Sequence, residues 1–72
     1  MNIKAQFGAN VRRLRESKGW SQEQLADESS LHRTYISGIE RGARNPTLTV
    51  IARLAKALNV TSADLLAKDK RK

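Results

Sequence analysis

Arg33, Thr34 and Ser37 are the side chains in this sequence with the most pointed chemistry. A guanidinium donates two parallel hydrogen bonds to guanine O6 and N7, while threonine offers a hydroxyl to a base or phosphate and a methyl to thymine. Ser37 lies three residues beyond Thr34, so a helix beginning near Arg33 carries all three toward one side. They are candidates for reading base edges in the major groove, which is wide enough to admit a helix. Gln22, His32, Tyr35, Arg41 and Arg44 surround this group and suit phosphate contacts. Gln22 falls in the first turn of a helix, where backbone amides favour an anion. Tyr35 either presents its hydroxyl to a phosphate or sits at the rim of the core. Gly38 lies on the same face as Thr34, and its missing side chain fits either close approach to DNA or tight packing against a neighbouring helix.

Other chemistries find little support. The chain has one histidine and no cysteine. It also has no glycine-rich phosphate loop and no carboxylate pair placed for acid–base work, so no catalytic residues, cofactor or metal site are expected. Only Phe7, Trp20 and Tyr35 are aromatic, and packing needs most of them, which argues against base stacking on RNA. Lys and Arg number 14 against 7 Asp and Glu, a formal charge of +7. That balance favours a polyanionic partner. Glu23, Asp27 and Glu28 are the local counterweight and must turn away from DNA. No apolar run approaches the ~20 residues of a membrane span, and residues 1–7 contain no signal-peptide core. A cytoplasmic protein is expected, with no small-molecule ligand evident.

The elements that must position these residues are helical throughout, because apolar side chains recur with helical rather than strand spacing. Ile3, Phe7, Val11 and Leu14 form a stripe on a first helix over about Ile3–Lys18, and Gly19 suits its left-handed end. Ser21 can cap a second helix, with Gln24 completing a capping box. Ser29 and Ser30 break the pattern as a turn would. The third helix covers roughly Arg33–Arg41, stopped by Gly42, and Ala43–Pro46 form a loop. Thr47 opens a fourth helix with Leu48, Ile51, Leu54, Ala55 and Leu58, ended by Asn59. Thr61–Asp64 signals a short fifth helix bearing Leu65 and Leu66. The expected fold is all-α, five helices in one domain over residues 1–67, with a charged, frayed tail at 68–72. A chain of 72 residues has a marginal core by itself, which makes dimer formation attractive on stability grounds.

Residues Phe7–Leu66 resemble the Xre, lambda-repressor-like (Cro/C1-type) helix-turn-helix family. The resemblance is carried by Arg15-x-x-Lys-Gly-Trp-Ser-Gln-Glu-x-Leu-Ala, by Tyr35-Ile-Ser-Gly-Ile-Glu-Arg-Gly-x-Arg-Asn-Pro46, and by the helix with Leu48, Ile51, Ala52 and Leu54. The run Leu31–Arg41 followed by Arg44-Asn45 is similar to controller proteins of restriction–modification systems, small dimers acting on operators upstream of their own and the endonuclease genes. By position, the resemblance implies a phosphate role for Gln22, base reading by Arg33 and Thr34, and backbone proximity for Arg41 and Arg44. It also implies a partly buried bridge between Arg15 and Glu40, although Arg15 alone looks like another DNA-facing charge. Dimerisation is implied through the last helices, with Val60, Leu65 and Leu66. Ser30 replaces the glycine usual in the turn and must take a strained conformation or a slightly different turn, and His32 replaces a better helix cap.

The expected function is a homodimeric, sequence-specific regulator of double-stranded DNA operators, with RNA polymerase as a further partner. The alternative is an antitoxin or adaptor whose main partner is a protein, using an exposed Leu65–Leu66 end and the basic tail.

Overall fold

The computed structural model describes residues 2–68, so the expectation for the tail lies, apart from Lys68, outside the described residues. Five helices follow one another: α1 (Ile3–Ser17), α2 (Gln22–Ser29), α3 (Arg33–Glu40), α4 (Leu48–Leu58) and α5 (Ser62–Leu66). No strand occurs among the described residues.

Short polar side chains start four of them. Asn2, Ser21, Thr47 and Thr61 each accept a hydrogen bond from the backbone amide three residues on, at 3.0–3.2 Å. Such caps satisfy amides that the helix leaves without partners. At Thr61 the box closes, since the Asp64 carboxylate accepts in return from the Thr61 amide at 3.0 Å. At Ser21 it does not: Gln24 turns outward and donates to Glu28 at 2.9 Å.

The core gathers Phe7 and Val11 of α1, Leu25 of α2, Ile36 and Ile39 of α3, Leu54 and Leu58 of α4, and Leu65 of α5. Each such side chain contributes about 1.5–3 kcal/mol by leaving water. Gly8 lets α1 settle against the end of α3, because a Cβ there would overlap the Ile39 carbonyl oxygen and lie 3.0 Å from that of Glu40. Two apolar positions of the expected pattern point elsewhere. Ile3 is half exposed and Leu48, in the first turn of α4, is 85 % exposed.

Asn10 is a buried polar residue in phase with the α1 stripe. Its amide donates to the carbonyls of Leu65 at 2.8 Å and Ala67 at 2.7 Å, and its oxygen accepts from Arg13 at 3.2 Å. These bonds fasten the C-terminal end of α5 to α1. Gln6 adds a bond to the Leu66 carbonyl at 2.7 Å.

Candidate nucleic-acid interface

The turn between α2 and α3 sets how the third helix projects. Ser30 adopts φ 60° and ψ 37°, the left-handed region. Its amide and that of Leu31 close onto carbonyls of α2, Ser30 to Asp27 at 3.3 Å and Leu31 to Ala26 at 2.9 Å. Of the two expectations for a serine in place of glycine, the structure takes the strained left-handed conformation. His32 follows as the residue before α3, in extended geometry and with no side-chain cap bond. The His32 side chain therefore leaves the amides in the first turn of α3 uncapped.

α3 is two-faced. Ile36 and Ile39 are fully buried, whereas Arg33, Thr34, Arg41 and His32 are exposed and Ser37 is half-buried. Arg33, Ser37 and Arg41 succeed one another at intervals of four and so line one outward stripe. Arg44 is exposed in the following loop, with its guanidinium carbon 5.3 Å from the centroid of the half-buried Tyr35 ring. Tyr35 also packs against the core, so it is a rim residue whose outer face carries a cation. The structure brings Arg33, Thr34, Ser37, Tyr35, Arg41 and Arg44 onto the helix and its exit.

Beneath this surface lies a polar clamp. Arg15 donates from Nε to Glu40 Oε2 at 2.7 Å and from Nη2 to Oε1 at 3.1 Å, and from Nη1 to the Trp20 carbonyl at 2.7 Å. The two side chains are 10 % and 4 % exposed. The hydrogen bond to Glu40 raises the Arg15 pKa above its ordinary value, with burial opposing and the charges of Glu40 and Glu16 adding to the rise. Gln22 joins in, donating from Nε2 to Glu40 Oε1 at 3.1 Å. One amide hydrogen of Gln22 is thereby committed inside the protein.

One expected site residue is displaced. Leu65, assigned to a dimer surface and to an exposed end, is wholly inside the monomer core. The Asn10 bonds hold its carbonyl, and helical spacing turns its side chain inward while Leu66 points out, 40 % exposed. Val60 is half-buried against the core. Leu66 and Ile3 share one exposed apolar surface, beside a groove of about 170 Å³ also lined by Phe7, Pro46 and Ile51. Asn10, Gly8 and the Gln22 link to Glu40 were missed from sequence. Only Asn10 left a signal, a polar side chain three residues after Phe7 on an apolar stripe.

Comparison with known proteins identifies the architecture. The helix-turn-helix family profile matches residues 11–65. The chain belongs to the Xre (Cro/C1-type) helix-turn-helix family. Members of this family are DNA-binding transcription regulators rather than enzymes. Among similar proteins, control protein C.BamHI of Bacillus amyloliquefaciens is 56 % identical over 66 residues, 90 % of this chain and 82 % of the relative. Control protein C.SmaI of Serratia marcescens is 50 % identical over 68 residues, 94 % and 81 % of the two chains. The crystal structure of the restriction-modification controller protein C.AhdI from Aeromonas hydrophila superimposes with a TM-score of 0.84 at 47 % identity, covering 86 % of this chain and 94 % of that one. This helix-turn-helix protein has no helix among its described residues long and apolar enough to cross a membrane.

Proposed function

We propose that this helix-turn-helix protein is a cytoplasmic homodimer that binds a pseudo-palindromic operator and controls a restriction–modification system. The observation that carries the DNA reading is the exposure of Arg33 and Thr34 at the uncapped start of α3, while the opposite face of that helix is buried and clamped through Glu40. Arg33, Thr34 and Ser37 read bases, and Gln22, His32, Tyr35, Arg41 and Arg44 engage the backbone. Such a division between base edges and phosphates is general for duplex recognition. The similarity to control proteins C.BamHI and C.SmaI and to controller protein C.AhdI supports the narrower assignment.

The second copy docks through Leu66 and Val60. Support comes from the exposed Leu66–Ile3 surface at the joined ends of α1 and α5. RNA polymerase is the machinery whose access to promoters the bound dimer alters. The helix-turn-helix domain is assigned to residues 1–67, and it uses no cofactor.

Selection of bound duplexes from a random library tests the proposal. A two-fold related sequence should be enriched, with half-site centres about 34 Å or a multiple apart. Enrichment of no sequence over the starting library would overturn it.

A further inference from the structure

Gly38 is buried in the middle of α3, and the atoms nearest to its missing side chain belong to Arg44 rather than to another helix. A Cβ built there would lie 2.6 Å from Cγ of Arg44, 3.3 Å from its Nε and 3.5 Å from its Cδ. The stem of Arg44 therefore crosses α3 through the space that any other residue at position 38 would fill. The same side chain ends over the ring of Tyr35, at 5.3 Å from its centroid. Tyr35 precedes Gly38 by three residues, so ring and bare backbone are neighbours on one flank of the helix.

An exposed arginine in a loop ordinarily samples many rotamers, and ordering it on binding weakens the complex. Here the loop arginine already lies in a groove with a flat floor and an aromatic wall. Guanidinium groups stack on aromatic faces more readily than ammonium groups do. Because the Arg44 stem covers Gly38 in the free protein, an approaching duplex meets Arg44 before it meets Gly38. Packing of the Arg44 stem then accounts for the missing side chain without close approach of DNA to the glycine.

We propose that Gly38 is a positioning residue for Arg44: its bare Cα and the Tyr35 ring form a slot that holds the guanidinium against α3, ready for the DNA backbone. The inference rests on the DNA-binding reading only for its consequence, since the slot itself exists in the unbound chain.

The test has two arms. In the free protein, nuclear magnetic resonance should show the Arg44 side-chain signals displaced by the Tyr35 ring current. Gly38→Ala and Tyr35→Leu should abolish the displacement, and Tyr35→Phe should preserve it. In the second arm, Gly38→Ala should weaken binding to the duplex selected by the unsubstituted protein by roughly three- to tenfold. In an Arg44→Ala background the same change should have no further effect, as expected when one residue acts only through the other. Gly38→Ala should leave the thermal midpoint unchanged or raised, alanine being the better helix former. Arg44 signals that stay displaced in Gly38→Ala would overturn the proposal. Losses from Gly38→Ala and Arg44→Ala that multiply would overturn it too, by placing position 38 against the DNA itself. If the unsubstituted protein selects no duplex, the DNA reading fails, and the resonance comparison still decides whether the slot exists.

Discussion

Arg15 of α1 and Glu40 of α3 meet in a two-point contact from which water is largely excluded, with Gln22 of α2 bonded to the same carboxylate. One carboxylate therefore joins three helices. Planar groups matched in this way make the stronger class of hydrogen bond. The third helix is thereby fixed to its support at the end opposite to Arg33.

Removing one partner should be costly, because a charge stays behind in a low-dielectric site. Glu40→Ala is expected to lower stability by about 3–5 kcal/mol, read as a large fall in the midpoint of chemical denaturation. Arg15→Met with Glu40→Leu should recover much of that loss, since no charge is then left buried. The raised pKa of Arg15 means that its contribution persists at every pH below the unfolded guanidinium's value and fades only as pH climbs through the higher folded value. No loss of stability from Arg15 titration should be seen near neutrality.

Arg33 and Arg41 share a stripe of α3 but are assigned different partners. Arg33→Ala should cost about 1–3 kcal/mol on the selected duplex and relax preference at one base pair. Arg41→Ala should weaken selected and random duplexes alike and reduce the log–log salt slope by about 0.9. Fluorescence anisotropy at several salt concentrations separates them. Equal losses on both duplexes for Arg33→Ala would remove it from base reading.

Leu66 is the exposed member of the Leu65–Leu66 pair. Leu66→Glu places a charge on the apolar surface shared with Ile3 and should convert the proposed dimer to monomers in sedimentation equilibrium, with the helical circular dichroism unchanged. Leu65→Ala should instead destabilise the monomer by about 2–5 kcal/mol, the range for emptying a buried leucine site. A dimer unaffected by Leu66→Glu would move the interface elsewhere.

Ser30 is held at positive φ in the turn. Glycine tolerates that geometry freely but has more freedom to lose on folding. The balance favours Ser30→Gly by about 0.5–1 kcal/mol, which for a domain of this size raises Tm by several degrees. Asn59 takes the same geometry at the end of α4, where an asparagine side chain makes it less unfavourable.

Periodicity, caps and glycines placed all five helices to within about a residue, because these signals act over one helical turn and need no distant partner. The exposed start of α3 was legible for the same reason: Ile36 and Ile39 fix which face is inward, and Arg33 and Thr34 follow on the other. Arg15 shows the limit. Charge alone marks it as a surface residue, and its burial depends on Glu40, which lies 25 residues away.

Sequence by itself therefore determined the helices, their apolar stripes and the basic, projecting tip of α3. Tertiary structure alone decided which of two adjacent leucines faces water. It also buried Asn10 against the end of α5, and it laid Arg44 across Gly38 onto Tyr35. Each of these outcomes depends on a side chain meeting a group on another segment, and spacing along one helix carries no information about what lies opposite.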